Sequence, residues 1–386
     1  MPIRNRLSEI GEEAVVWRRD LHTHPEIGFD TVRSAALVAD LLRDFGCDEV
    51  TIGVGVVAVV RGRLGSGPTI GLRADMDALP MSEESGLPYA SATPDRMHAC
   101  GHDGHTAMLL AAAKYLTETR NFAGSVVLMF QPAEEIAKGA AAMLEEGVLE
   151  RLGVQEVYGM HNRPGLAIGE FQIRSGAYFA AVDTFEITIS GKGGHAARPN
   201  ACIDPIVAAS NIVMALQTIA SRTLNPVKTI VVSVTGMRSE TNAFNVIPAR
   251  LTLRGTVRSF EPEVRQMAET RVRAIAEDGA ALHGATASVN WIPGCPAMIN
   301  TEPQTEIARA AATAVGGQAP RHADLAMGGE DFAFMLEARP GAYIQIGNGD
   351  SAEVHHPQYD FADAAIPAGA TYWVELAERR LAASKR

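Results

Sequence analysis

Four cysteines among 386 residues are too few, and at positions 47, 100, 202 and 295 too scattered, for a disulfide framework. Reduced thiols and a cytoplasmic setting are the expectation. Basic side chains are also short: 34 Lys and Arg stand against 45 Asp and Glu, a formal net charge of −11. Nucleic acid and anionic membrane both require clustered positive charge, so neither is expected as a partner, and a small-molecule substrate is. No apolar run approaches transmembrane length, and Met1 to Glu9 hold no signal-peptide core. Repeats and low-complexity tracts are missing as well. What remains is 47% hydrophobic residues in a chain long enough for about two domains.

Against that background, Met97-His98-Ala99-Cys100-Gly101-His102-Asp103-Gly104-His105 packs a thiol, three imidazoles and a carboxylate into nine residues. Thiolate sulfur, imidazole nitrogen and carboxylate oxygen are donors that a borderline-soft ion such as zinc accepts, and a glycine-rich turn lets alternate side chains converge. Cys100 and His102 are the natural first pair. The apolar run Ser125 to Phe130 reads as a buried strand and ends in Gln131-Pro132-Ala133-Glu134-Glu135, where α/β proteins build sites. Adjacent buried carboxylates repel, so they imply a cation or a retained proton. An exposed pair at a helix start, favoured by the helix dipole, is the other reading of the same residues. His161 follows another apolar stretch and His355 precedes the last helix; a lone histidine is usually structural, and both gain weight from the Cys100 cluster.

Periodicity gives helices ending near His24-Pro25 and over Thr31 to Phe45, a strand over Val54 to Val60, a second over Pro68 to Pro80 that emerges into acidic residues, and helices over Thr106 to Leu116 and Ala140 to Glu146. This alternation indicates an α/β sheet flanked by helices. From Asp183 to about Ile292 the rhythm becomes βαββαβ, a ferredoxin-like unit: strand Asp183 to Ile189, helix Asp204 to Arg222, strands Thr229 to Val234 and Arg250 to Val257, helix Glu261 to His283, strand Ala287 to Trp291. The economical arrangement is a catalytic domain of residues 1–182 and 293–386 interrupted by an inserted one, 183–292. A rim strand of the small sheet can pair with its twin, so a homodimer is expected. Gly62-Arg63-Leu64-Gly65-Ser66-Gly67 lacks the ending of a phosphate loop and leads into a strand, so it reads as a hairpin turn.

Taken with Leu21-His22-Thr23-His24-Pro25-Glu26, Arg73-Ala74-Asp75-Met76-Asp77, Gly193-Gly194-His195, Gly328-Gly329-Glu330-Asp331 and His355-His356-Pro357, these motifs make the chain resemble the metallo-amidohydrolases of the hippurate hydrolase, N-acyl-amino-acid amidohydrolase and auxin-conjugate hydrolase branch. That branch is related more distantly to aminoacylase and metal-dependent carboxypeptidases. The resemblance implies two divalent ions, zinc or manganese with cobalt or nickel as alternatives, held by Cys100, His102, Glu135, His161 and His355. It implies Glu134 as the general base and the inserted domain as a lid and dimerisation module. Where the wider superfamily has a His-x-Asp ligand pair, this chain has Arg73-Ala74-Asp75, leaving Asp75 and Asp77 as supports around the ligands. By the same resemblance His195 reaches over the other subunit's active site to stabilise the oxyanion. Asn245 and Arg258 would bind the substrate's carboxylate, and Gly329 would present backbone amides. The expected reaction is hydrolysis of an N-acyl amino acid. A dipeptidase, carboxypeptidase or biosynthetic deacetylase would use the same chemistry, and a metal- or peptide-binding protein without catalysis is the alternative of a different class.

Overall fold

The computed structural model describes residues 5–383. Part of the N-terminal stretch read above as lacking a signal-peptide core therefore lies outside the described residues. Among these residues no helix is long and apolar enough to cross a membrane. The chain divides into two compact units, one of Met1–Tyr178, Ile299–Asp324 and Asp331–Arg386, the other of Phe179–Met298 and Leu325–Glu330. The second is wider than the stretch 183–292 marked by the change of rhythm. It also takes in Leu325–Glu330, and with it Gly329.

The first unit is built on an eight-stranded mixed sheet. Its strands are β1 (Glu49–Ile52), β2 (Val56–Arg61), β3 (Thr69–Asp75), β4 (Ser125–Gln131), β5 (Glu156–Arg163), β6 (Phe171–Ile173), β15 (Arg321–His322) and β16 (Gly341–Gly347), in the order β1-β2-β4-β3-β5-β16-β6-β15. Short strands β7 (Gly176–Phe179) and β14 (Met298–Asn300) lie where the chain passes between the units. The central strands β4, β3, β5 and β16 run parallel. A parallel sheet is covered on both faces, which explains why β4 and β16 are near-continuous buried runs with no alternation. Because β4 inserts between β2 and β3, residues 62–67 belong to a link that spans an intervening strand and not to the tight hairpin turn expected from their glycines.

Helices α1 (Asn5–Thr23), α2 (Val32–Asp44), α3 (His102–Thr119), α4 (Gly139–Glu145), α5 (Val148–Arg151), α8 (Glu302–Gly316), α9 (Phe332–Ala338) and α10 (Ile366–Arg380) complete this unit. Helix α3 packs against both α1 and α10 and is buried nearly all round, with Leu109, Leu110 and Leu116 wholly inaccessible. Truncating one such leucine to alanine costs roughly 2 to 5 kcal/mol. The helix begins at His102, a turn earlier than its alanine and leucine pattern indicated, so the donor cluster occupies its first turn. Strands β3, β4 and β5 all point their carboxyl ends the same way, which collects the segments after Asp75 and Gln131 beside His161.

The second unit is a four-stranded antiparallel sheet of β8 (Ala181–Ser190), β10 (Ile230–Ser239), β12 (Arg250–Ser259) and β13 (Thr286–Pro293), in the order β10-β12-β8-β13. This is the ferredoxin-like strand order. Helices α6 (Pro205–Leu216) and α7 (Pro262–Ala281) cover one face, and burial alternates along β8 as a half-covered sheet demands. Val264, Ala268, Val272, Ala276 and Ala280 form the buried stripe of α7. Helix α6 stops short of the expected Arg222: hydroxyls of Thr218, Ser221 and Thr223 bond back to main-chain carbonyls, and the chain widens into a π-turn at Ile219–Thr223. Two-residue strands β9 (Gly194–His195) and β11 (Val246–Ile247), too short to show periodicity, pair with each other.

Candidate metal centre

Helix α3 starts only because residue 101 is glycine. Gly101 has φ +88°, and a Cβ there would lie 2.4 Å from Nδ2 of Asn162 and 2.5 Å from the Tyr359 hydroxyl. The bend sets Cys100 and His102 side by side. Nδ1 of His102 donates to the main-chain oxygen of Asp77 at 2.8 Å, which leaves the lone pair on Nε2. That buried Nε2 has no hydrogen-bond partner among the described residues. His161 is set the same way: Nδ1 donates to the Asn162 main-chain oxygen at 2.7 Å, and Nε2 stands 3.3 Å from Sγ of Cys100. A hydrogen bond to one ring nitrogen fixes the tautomer and aims the other as a ligand.

The two glutamates are delivered by the end of β4. Pro132 cannot extend the ladder, and Ala133 takes φ +57°, its amide donating to the Gly28 oxygen at 3.1 Å. The amides of Glu134 and Glu135 then donate to the two oxygens of Asp77, at 3.0 and 3.2 Å. One aspartate thus holds both the tautomer of His102 and the turn that carries the glutamates. A carboxylate oxygen of Glu134 reaches 4.0 Å, and one of Glu135 reaches 3.9 Å, from Nε2 of His102. Nε2 of His355 lies 3.5 Å from the other oxygen of Glu135. His355 also has positive φ, +64°, and its amide donates to the Ala99 oxygen at 2.7 Å.

All five residues expected as ligands therefore converge with Glu134. The donor atoms of Cys100, His102 and His161 lie within 4.8 Å of one another, as do those of Cys100, Glu135 and His355, and those of His102, Glu134 and Glu135. His105, which shared the sequence cluster, also has a ring nitrogen within 4.8 Å of His102 and Asp75 donor atoms, but its nitrogens are engaged. Its Nδ1 donates to Asp75 at 2.6 Å and its Nε2 accepts the Asn162 amide at 2.9 Å, so both nitrogens are used. Asp75 in turn takes a hydrogen bond from Arg73 at 2.6 Å.

The electrostatics fit cations. Burial first, then the Glu135 charge, pushes the Cys100 thiol well above its ordinary pKa. His161 is driven well below its usual value by burial and by the neighbouring His105 ring. Burial opposes charge on His102, but Asp75 and Cys100 outweigh it and hold the ring well above its usual value. Burial also opposes ionisation of Glu135, yet the His355 hydrogen bond and the His102 charge bring it below the ordinary carboxylate range. Unpartnered atoms, His102 Nε2 and Glu135 Oε1, face each other across 3.9 Å of buried space. A buried thiol, an unpartnered imidazole nitrogen and crowded carboxylates are each costly alone, and a divalent cation satisfies all of them because it deprotonates a coordinating thiol and offsets carboxylate repulsion.

The remaining expected residues lie in the second unit. Strand β9 pairs His195 with Val246 of β11, and the Ala196 amide donates to the Asn245 oxygen at 3.0 Å, so His195 and Asn245 stand together. Both side chains are exposed. Arg258 is elsewhere, near the end of β12 between Val182 and Val231. Gly329 precedes α9 without belonging to its first turn, and a Cβ on it would meet Val182 at 2.4 Å.

The sequence profile of the family described as peptidase family M20/M25/M40 matches residues 71–379. The chain belongs to that family. This M20 chain is 42% identical over 364 residues to the N-acetylcysteine deacetylase of Bacillus subtilis (strain 168), a match covering 93% of this chain and 94% of the relative. It is 38% identical over 369 residues to the hippurate hydrolase of Campylobacter jejuni subsp. jejuni, covering 94% and 95%. A solved Bacillus subtilis protein, described as a dinuclear metal binding peptidase from the M20 family, superimposes with a TM-score of 0.85 at 38% identity, covering 97% of this chain and 99% of that one. Two further residues, given no role of their own in the sequence, support the candidate site. Arg73, wholly buried, donates to Gln131, Asp75 and Asp331, and Asn162 bonds to the Cys100 oxygen, His105 and Tyr359. An arginine inside the apolar strand β3 is the one signal that pointed to the first of these.

Proposed function

We propose that the protein hydrolyses the amide bond of N-acyl amino acids, releasing a carboxylic acid and a free amino acid. Five donors from four segments meet around unpartnered buried atoms with a sixth group, the Glu134 carboxylate, beside them, and that convergence carries the reading. Cys100, His102, Glu135, His161 and His355 would hold two divalent ions, zinc or manganese, in keeping with the dinuclear description of the solved relative. Such ions, when bound, polarise an amide carbonyl and acidify water. Glu134 takes the proton of the attacking water and returns it to the departing amine, one carboxylate serving both steps. Asp77 holds Glu134 in place through its amide. His195 stabilises the oxyanion, Asn245 and Arg258 bind the substrate's carboxylate, and Gly329 offers its amide.

Relatives named N-acetylcysteine deacetylase and hippurate hydrolase support acetyl and benzoyl amino acids as the substrates to try first. The residues of the first unit form the catalytic domain and those around 183–292 the lid and dimerisation domain of a cytoplasmic homodimer. A net charge of −11 speaks against nucleic acid or anionic membrane as a partner. The test strips the protein of metal, reloads it with zinc, manganese, cobalt or nickel, and assays acetyl, benzoyl and peptidyl amino acids. Metal-dependent release of amino acid from the acyl substrates is expected. Cleavage of peptides alone would move the assignment to a peptidase, and silence across the whole matrix would overturn catalysis.

A further inference from the structure

His355 is the one expected ligand with a half-exposed side chain, and it sits in a stretch without regular structure between β16 and a 3-10 turn at Asp363–Ala365. Something other than a helix or strand must fix its position. Five residues further on, Asp360 accepts a hydrogen bond from the guanidinium of Arg18, and Asp363 accepts another at 3.2 Å. The same guanidinium donates through Nε to Asp103 at 2.7 Å, in the first turn of α3 next to His102. Arg18 is wholly buried. One side chain of α1 thus clamps the helix that presents His102 to the loop that presents His355.

Its neighbours complete the clamp. Nδ1 of His22 lies 2.8 Å from the same oxygen of Asp103, and Nε2 lies 3.3 Å from Glu83. Tyr89 donates to the other oxygen of Asp360 at 2.8 Å and lies under the Arg18 guanidinium, 5.0 Å away. The Glu84 amide donates to the Pro357 oxygen at 2.7 Å. Planar geometry with five donors suits Arg, and not Lys, to grip several carboxylates at once. Stability is weak grounds for such a cluster, because a buried ion network replaced by apolar groups of like volume is often neutral or better.

We infer that Arg18 and Asp360 are positioning residues that set His355 against the rest of the metal centre, an inference that rests on the metal-dependent reading above. The test is a double-mutant cycle on zinc affinity, measured by chelator competition, with Asp360→Asn and His355→Ala made singly and together. The Asp360→Asn change keeps the side-chain volume at a part-exposed position, and the melting temperature of each metal-free protein is recorded alongside. Alone, Asp360→Asn is expected to weaken zinc about tenfold, the size of effect seen when groups that orient ligands are lost. In the His355→Ala background it is expected to change affinity less than about twofold, because the ligand it positions has gone. Arg18→Lys should repeat the pattern while retaining a buried positive charge. Equal losses in both backgrounds, no loss at all, or losses that merely follow a fall in metal-free melting temperature would overturn the inference. The cycle reads binding and not turnover: a native chain that binds zinc but hydrolyses nothing fails the activity reading alone, whereas one that binds no zinc overturns both.

Discussion

In the first unit His102, Asp75 and Asp77 are sealed from solvent and each is held by a named neighbour; in the second, His195 and Asn245 lie exposed on a pair of two-residue strands. His195 has little to hold it beyond the Ala197 amide, which donates to its Nδ1 at 3.1 Å. On the roles proposed above, the contrast follows from what each set would have to do. Ligands for cations need donor atoms placed to within about half an ångström before anything binds, and only packed elements with supporting hydrogen bonds supply that. Groups that meet a substrate can be ordered by the substrate itself, and mobile, lightly packed segments are where such groups are found. Phe244, wholly exposed one residue before Asn245, belongs to the same lightly held class.

The comparison breaks most decisively at Glu134. Glu134→Gln keeps the volume and removes the base, so turnover is expected to fall by roughly 10² to 10⁴ while zinc content, by elemental analysis, stays at the native level. A parallel loss of zinc would make Glu134 a ligand, and a retained rate would end its role as base. In the second unit His195→Ala is expected to lower kcat by about 10² to 10³, the scale of one oxyanion donor, yet to move unfolding free energy by less than about 0.5 kcal/mol. Equal damage to rate and stability would erase the distinction between the two regions.

How much of this was readable beforehand follows the same division. Cys100 and His102 announced themselves because their donors lie two residues apart, and Glu134 and Glu135 because they follow an apolar strand. The βαββαβ rhythm was legible because β8 alternates and α7 carries an unbroken stripe of five apolar residues, one every fourth position. Sheet order was not: nothing local says that β4 inserts between β2 and β3, and the glycine-rich link 62–67 was misread for that reason. Nor was the support beneath the ligands. Arg18 and Asp360 are unexceptional charges in sequence, Asp103 stands there among the metal donors, and only the tertiary fold turns the three into one buried contact. Unused His105 shows the converse, a donor of the right type whose nitrogens the fold had already assigned.

A smaller effect, in stability and not in rate, tests how firmly the first unit holds its polar groups. His22 faces Asp103, Glu83 and Arg18 through hydrogen-bonding or charge contacts, Tyr89 edge-on at 5.7 Å, and His98, whose pKa burial pushes down to about 3. Burial is the largest influence on His22 and disfavours its charge, but the hydrogen bond and charge of Asp103, with help from Glu83, hold it up at about 9. A ring whose folded value lies above the ordinary 6.5 binds its proton more tightly folded than unfolded. Its contribution is therefore complete below pH 6.5 and is lost as pH rises through 9, a change of about 3 kcal/mol in all. Urea unfolding of metal-free native protein and of His22→Gln at pH 6 and pH 9.5 measures it. The gap between the two proteins should be wide at the lower pH and should narrow at the higher. Curves that stay parallel would mean that His22 is neutral in the folded state and faces Asp103 through its hydrogen bond without a charge.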